Sequence, residues 1–268
     1  MTELDSDYLN RAAPPGSMRY FALLYTPAEQ QNLLAALFVI EAEIRSSANQ
    51  TAHEVAHTRL HWWRAEIDRL VNRNAQHPAT RVLQAALPHT DFSGLHELIV
   101  AADLDLARMT YQTRMELDAY LERSGSVLAA FAGMVLVNSQ EIRALGALLR
   151  RVETLRDLAG DARAGRIYWP LAEAAAHGVT VEVLQLCKPT ESLQRMLATE
   201  VTNTSKRLQQ LIAALSETAL RPIIVLAQLH RKLLQRIERS GYDVFLGRHE
   251  LKPFEKVWTA WRAARKLK

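Results

Sequence analysis

Apolar residues recur along this chain at the three- and four-residue spacing of amphipathic helices, and no stretch alternates β-branched or aromatic residues with polar ones as a half-buried strand requires. Punctuation marks where the helices begin. Thr26-Pro27-Ala28-Glu29 reads as a cap, a first-turn proline and the acid of a capping box, and predicts a helix to about Ser47. Thr51-Ala52-His53-Glu54 and Thr113-Arg114-Met115-Glu116 repeat that pattern ahead of apolar-periodic stretches. Asn138 to Glu141 opens a helix running through Gly160, and Thr190-Glu191 opens one reaching about Leu215. Pro222 starts a helix that stops at Ser240-Gly241, and Lys252-Pro253 starts the last. The longest apolar run, the eleven residues Val127 to Val137, is too short to cross a bilayer as a helix and reads as one buried in the interior. The fold class is all-α.

Composition narrows the picture. The 268 residues are near the upper limit for one hydrophobic core, and there is no internal repeat, low-complexity tract or Pro/Gly/Ser-rich linker to divide them. A single domain over 1–268 is expected, with 1–14 as a flexible N-terminal segment. With 49% apolar residues the chain has the make-up of an ordered globular protein. The net charge of +4, from 33 basic and 29 acidic residues, is too balanced for a broad nucleic-acid footprint, so no nucleic-acid partner is expected. Cys187 is the only cysteine, which excludes an internal disulfide and a Cys-rich zinc or iron–sulfur site. The acidic, polar start MTELDSDYLN fits neither a secretory signal nor a transit peptide, and the expected location is cytoplasmic.

Candidate chemistry concentrates between Leu155 and Pro170, LRDLAGDARAGRIYWP. On one continuous helix, Glu153, Asp157 and Asp161 share a face and form a carboxylate column about 12 Å long at ~1.5 Å per residue. Such a column suits Mg²⁺ that also binds phosphate oxygens. It equally suits a solvated acidic face paired with Arg150, Arg156 and Arg163. The string RDLAGDARAGRIYWP closely resembles the second aspartate-rich signature of the squalene/phytoene synthase family. APPGSMRYFALLYTP, RLHWWRAEIDRL, AADLDLARMTYQTRMELDAYLERSGSV and IERSGYDVFLGRHELKPFEKVW follow in that family's order, extending the resemblance over about residues 15–260.

The resemblance implies a helical bundle around a central apolar cavity, with two aspartate-rich motifs facing each other and holding Mg²⁺ against prenyl diphosphates. Active members ionise one prenyl diphosphate to an allylic cation, join it head to head with a second, and pass through a cyclopropyl intermediate. Asp157 and Asp161 fall at the second motif's metal-binding aspartates, with Glu153 beside them, and Arg163, Arg166 and the catalytic candidate Tyr168 match the sequence that follows. Gly125 and Val127 fall where small residues let the prenyl chain approach, and Val127–Val137 would line the cavity.

The pattern breaks at the first motif, where Leu37–Asn49 reads LFVIEAEIRSSAN and Arg45 and Asn49 occupy ligand positions. Arginine cannot ligate Mg²⁺ and repels it. Either Arg45 pairs with Glu41 one turn earlier, worth ~0.3–0.5 kcal/mol if exposed, or it binds a phosphate or carboxylate of a ligand. Arg150-Arg151-Val152-Glu153 likewise replaces the amide-rich turn before the second motif. Altered motifs around a retained one resemble the family branch that includes a mitochondrial complex I assembly factor. Two functions remain open: an isoprenoid- or lipid-binding protein whose synthase activity is impaired or lost, and an active Mg²⁺-dependent prenyltransferase.

Three further features bear on function. His53, His57 and His61 share a helical face but lack a completing ligand, and read as a surface stripe leading into packed Trp62 and Trp63. Asp103 and Asp105, two apart on a helix, either point in different directions, Asp105 toward the cavity mouth as a ligand and Asp103 to solvent, or form a capping or surface pair. The segment 253–268 places Phe254, Val257, Trp258 and Trp261 on one face with Arg262, Arg265, Lys266 and Lys268 at its end. That helix either docks its aromatics on the bundle or lies peripherally on the inner face of an anionic membrane.

Overall fold

The structure is a computed structural model that describes residues 4–50, 52–127, 131, 140–215, 220–245 and 247–266. Among them the chain is helical throughout: α1 (Ser6–Ala12), α2 (Met18–Leu24), α3 (Ala28–Ala48), α4 (His53–Val71), α5 (Pro78–Ala86), a 3₁₀ turn (Ser93–Leu95), α6 (His96–Leu106) and α7 (Arg114–Ser124). Then follow α8 (Gln140–Arg156), α9 (Leu158–Arg163), α10 (Leu171–Ala176), α11 (Val181–Leu186), α12 (Glu191–Ala214), α13 (Arg221–Arg239) and α14 (Pro253–Lys266). The described residues hold no strand, only an isolated parallel bridge between Tyr111 and Pro170. The all-α expectation is met.

Burial explains which helices sit at the centre. From Leu33 to Glu41 every residue of α3 is buried, so this stretch has no solvent face, and α3 packs against α1, α4, α5 and α6. α13 is the second pillar, flanked by α2, α8, α12 and α14. One contiguous apolar cluster runs from Leu4 to Ala263 and includes Val127 and Phe131. The remainder of the predicted buried run, 128–130 and 132–137, lies outside the described residues.

Several starts match their sequence signals. Thr113 and Glu116 form the reciprocal capping box of α7, and Thr190 accepts from Leu193 N at the head of α12. Pro222 lies in the first turn of α13, and Gly241, at φ +70°, follows its end. Two expectations need correction. Thr26 does not cap α3: its hydroxyl donates to Ala22 O at 2.8 Å, closing α2, and Pro27 begins α3 without a side-chain cap. The helix predicted through Gly160 breaks at Asp157, whose φ/ψ of −96°/9° separate α8 from α9. Thr51 and Asn138, read as helix-opening residues, lie outside the described residues.

Candidate functional site

The site is built where α8 meets α3. Glu153 and Arg150 of α8 and Arg45 of α3 line a cleft of about 570 Å³, walled otherwise by 11–19, the start of the 248–256 segment, and His230 and Leu233 of α13. Both terminal nitrogens of Arg45 are engaged there, while its buried Nε has no partner. Its Nη1 donates to Glu153 Oε2 at 2.9 Å, and its Nη2 lies 2.7 Å from Glu41 Oε1 and 3.1 Å from Ser124 O at the C-terminus of α7. The pairing with Glu41 one turn earlier is therefore present, but it is buried and shared with a second acid 108 residues away. Arg19 approaches Glu41 at 3.0 Å and Arg150 approaches Glu153 at 3.3 Å, so each carboxylate sits between two guanidiniums. Burial alone would push the Glu153 carboxyl up. Arg45, with Arg150 and Arg19, instead holds it well below the usual carboxylate range. His230 Nε2, 3.8 Å from Glu153, is too far for a hydrogen bond.

The break after α8 sends the three predicted carboxylates into different surroundings. Glu153 is locked to Arg45, and Asp157 at the rim accepts from Arg156 Nε and Arg248 Nε, each at 2.8 Å. Asp161 is half-buried one turn further. Burial chiefly pushes its carboxyl up to about 6, with Asp157 and Asp105 adding and Arg150 and Arg166 opposing. The expected solvated column is thus neither continuous nor solvated, although its Arg150–Glu153 and Arg156–Asp157 pairs form.

Tyr168 donates to Asp105 Oδ1 at 2.6 Å and stacks on Tyr120 with ring centroids 5.1 Å apart. Burial, with Tyr120 and Asp105, raises its phenol far above the ordinary value, so it stays protonated as a donor. Asp105, expected toward the cavity mouth, is instead buried against Tyr168, and Asp103 is partly exposed and paired with Arg64 at 2.6 Å. Arg163 is exposed and lines a pocket with Asp157 and Asp161, and Arg166 is half-buried. Gly125 serves a packing purpose: a Cβ there would lie 2.4 Å from Gly146 C, so the end of α7 touches the backbone of α8 directly. Val127 is buried in the main core.

Sequence reading missed Arg19, Tyr120 and Arg248 in this site, and the network behind it. Arg151 is buried, donates to Glu200 Oε1 and Tyr168 O at 2.6 Å each, and lies 4.6 Å over the Trp169 ring. Arg114 clamps Glu200 from the other side and also bonds Glu173. No local signal marks such pairs, since their partners lie tens of residues apart. Elsewhere, the exposed His53 and His57 touch each other at 3.0 Å, and among the described residues no group of three His, Cys, Asp or Glu is arranged to hold a metal ion.

Mg²⁺ requires carboxylate oxygens with open lone pairs. Glu153 is covered by Arg45 and Arg150 and Asp157 by Arg156 and Arg248, which leaves Asp161, its carboxyl pushed up to about 6 by burial, without a second open carboxylate among the three. As arranged, this donor set does not fit the ion. It fits an anion better, because Arg11, Arg19, Arg45, Arg150, Arg156, Arg248 and Lys256 line the cleft against Glu153, Asp157 and Glu250. A second cavity of about 710 Å³, lined in part by Tyr8, Trp62, Trp63 and His77, shares Arg11, Ala12, Pro14 and Ala42 with the cleft. The basic site therefore adjoins an aromatic one.

Comparison with known proteins agrees with this architecture. Phytoene synthase from Arthrospira platensis is 29% identical over 188 residues, covering 62% of this chain and 61% of its own length. Phytoene synthase from Thermus thermophilus is 28% identical over 159 residues, with coverages of 57% and 55%. The chain thus matches less than two thirds of the length of these relatives. A dehydrosqualene synthase solved in complex with ligand superposes with a TM-score of 0.79 at 15% identity, covering 97% of this chain and 98% of that one. Squalene synthase HpnC from Alicyclobacillus acidocaldarius gives 0.72 at 20% identity, over 88% and 94%. At these identities the structural likeness establishes the isoprenoid-synthase helical fold. The family model for squalene/phytoene synthase matches residues 13–262, and on that span the chain belongs to the squalene/phytoene synthase family.

Proposed function

We propose that this protein binds a prenyl diphosphate or a related isoprenoid lipid through guanidinium groups, and that its head-to-head synthase chemistry is impaired. The observation that carries the proposal is Arg45, which stands at an expected metal-ligand position and is tied to Glu41, Glu153 and Ser124. Departure of diphosphate from an allylic carbon needs strong positive charge that is free to follow the developing negative charge. Arg45 is neutralised by two carboxylates of its own chain, and so it supports binding and packing better than ionisation. The rim cations Arg11, Arg248 and Lys256 supply donors for phosphate oxygens, and the adjoining aromatic cavity gives an apolar chain somewhere to lie.

The test is titration with farnesyl and geranylgeranyl diphosphates in Mg²⁺ and in EDTA, with pyrophosphate and hydrocarbon both monitored. Binding is expected to change by less than tenfold between the two conditions, under ~1.4 kcal/mol, with no squalene, phytoene or cyclopropyl product. Mg²⁺-dependent formation of any of these would overturn it and favour the second reading, an active Mg²⁺-dependent prenyltransferase. The observation on that side is that Arg248, one of the two cations on Asp157, is itself more than half exposed and free to yield to a metal. On that reading Asp157→Ala abolishes turnover.

A further inference from the structure

α14 is amphipathic in the opposite sense to a helix docked by its aromatics. It packs on α13 and α2 through Ala260 and Ala263, both buried. Its large apolar residues face outward: Phe254 is 68% exposed, Val257 53%, Trp258 59% and Trp261 39%. Globular helices ordinarily turn such side chains inward, so packing among the described residues gives this face no reason to exist. The face is also ordered. Trp258 and Trp261 stack with centroids 5.0 Å apart, and the Arg265 guanidinium lies 4.8 Å over the Trp261 ring. Cations surround it. Arg262 and Lys266 line a shallow groove with Trp258, opposite Arg231 and Lys232 of α13, and that groove contains no acidic residue. Glu255, the sole acid of α14, is turned away to Arg236 at 3.1 Å.

We propose that this face docks the protein on an anionic lipid bilayer, with Phe254, Trp258 and Trp261 at headgroup level and Arg231, Lys232, Arg262, Arg265 and Lys266 on lipid phosphates. Charge selects the bilayer over a second copy of the chain. A two-fold pairing through this face would set these cations against their own equivalents without an intervening carboxylate. The same helix turns Lys256 to its other side, where the ammonium donates to Gly16 O at 2.9 Å in the wall of the cleft. Docking therefore holds the cleft about one helix diameter, ~10 Å, from the membrane. The proposal stands whether or not the cleft carries out chemistry.

Flotation of the full chain with phosphatidylcholine vesicles, with and without phosphatidylglycerol, tests it. The protein is expected to float with the anionic vesicles and to be released by salt. Neutralising Arg262→Gln and Arg265→Gln together should lower the partition coefficient about thirtyfold, the ratio for ~1 kcal/mol per cation. The triple variant Phe254→Ser, Trp258→Ser, Trp261→Ser should lose flotation with its thermal melt unchanged, because these side chains are exposed. Tryptophan quenching by brominated lipids gives a readout on the unaltered chain. Failure to float with anionic vesicles, equal flotation of a folded triple variant, or a solution dimer that the triple variant dissociates would each overturn the proposal.

Discussion

Removing the Arg45 guanidinium tests whether the buried ion cluster holds α3, α7 and α8 together. Breaking a buried pair by deleting one partner costs ~3–5 kcal/mol, because it strands the other charge. Here both acids keep a second cation, Arg19 at 3.0 Å from Glu41 and Arg150 at 3.3 Å from Glu153. Arg45→Ala should therefore cost ~2–3 kcal/mol at pH 7, read as a shift in the urea midpoint at constant slope. The deficit should also depend on pH. In the unaltered protein the Glu153 carboxyl lies well below its unfolded value of 4.5, so between pH 7 and 5 it is ionised in both states and stability does not respond to it. Without Arg45, burial is less opposed and the folded carboxyl rises. Once it passes the unfolded value, the folded variant takes up a proton that the unfolded chain does not, and it gains stability as pH falls from 7 toward 5. The deficit narrows in that window, and adding Glu153→Gln to Arg45→Ala should recover about half of it at pH 7. A deficit below ~0.5 kcal/mol, the size of an exposed pair, or one that neither varies with pH nor responds to Glu153→Gln, would refute the reasoning.

Three other substitutions probe the frame around the cleft. Gly146→Ala places a Cβ 2.4 Å from Gly125 O, a backbone atom that cannot swing aside. Overpacking of this kind costs ~1–3 kcal/mol, and a thermal melt should show a fall of ~2–4 °C for each. Asp161→Asn should stabilise the protein at pH 7. With the folded carboxyl pushed up to about 6 from 3.8, the native state binds a proton that the unfolded chain has released, and stability falls as pH rises through that window. The variant escapes this loss and should gain ~1–2 kcal/mol at pH 7, discounted for partial solvent contact. A midpoint that shows no gain over the unaltered protein between pH 4 and 7 would contradict this. Glu200→Ala strips a carboxylate from Arg151, whose side chain is 3% exposed. It should cost ~3–5 kcal/mol and alter the near-ultraviolet circular dichroism of Trp169, over which Arg151 lies.

What the sequence made legible follows from the range of the interactions involved. Thr113 with Glu116, Thr190 with Leu193 and Pro222 act within a turn, and all were readable. Thr26 was misread because its hydroxyl has two local acceptors, and the carbonyl of α2 won over the amides of α3. The short helices α1, α2, α10 and α11, of six or seven residues each, carry too little periodicity to be read and are held by packing. In the site, the family string located Asp157 and Asp161. It did not reveal that Arg45 reaches Glu153 or that Arg248 reaches Asp157 across 91 residues. The C-terminal face was legible as a stripe, but the stripe does not say which way it faces. Ala260 and Ala263 resolve this by taking the inward positions, where small residues let α14 lie close on α13.

The retained segment ending in Tyr168-Trp169-Pro170 has structural duties that would preserve it without any chemistry. Trp169 is buried beneath the Arg151 guanidinium, Tyr168 O accepts from that same side chain, and Pro170 bridges to Tyr111 while Leu171 N donates to Tyr111 O at 2.8 Å. The Tyr168 hydroxyl is occupied by Asp105, on a helix that also packs on α3. Altering Trp169 would remove the ring under the buried Arg151 guanidinium, and altering Tyr168 would leave the buried Asp105 without its hydroxyl donor, a cost of ~1–3 kcal/mol. The first motif carries a different load. Its position on α3 needs only a side chain that can satisfy Glu41 and Glu153 across the helix junction, and Arg45 does so from one position. Stability alone thus accounts for Tyr168, Trp169, Pro170 and Arg45 but not for Asp161, whose buried carboxyl, pushed up to about 6, costs stability at pH 7, so Asp161 is where the question of catalysis lies. Product analysis and Mg²⁺ dependence carry that question.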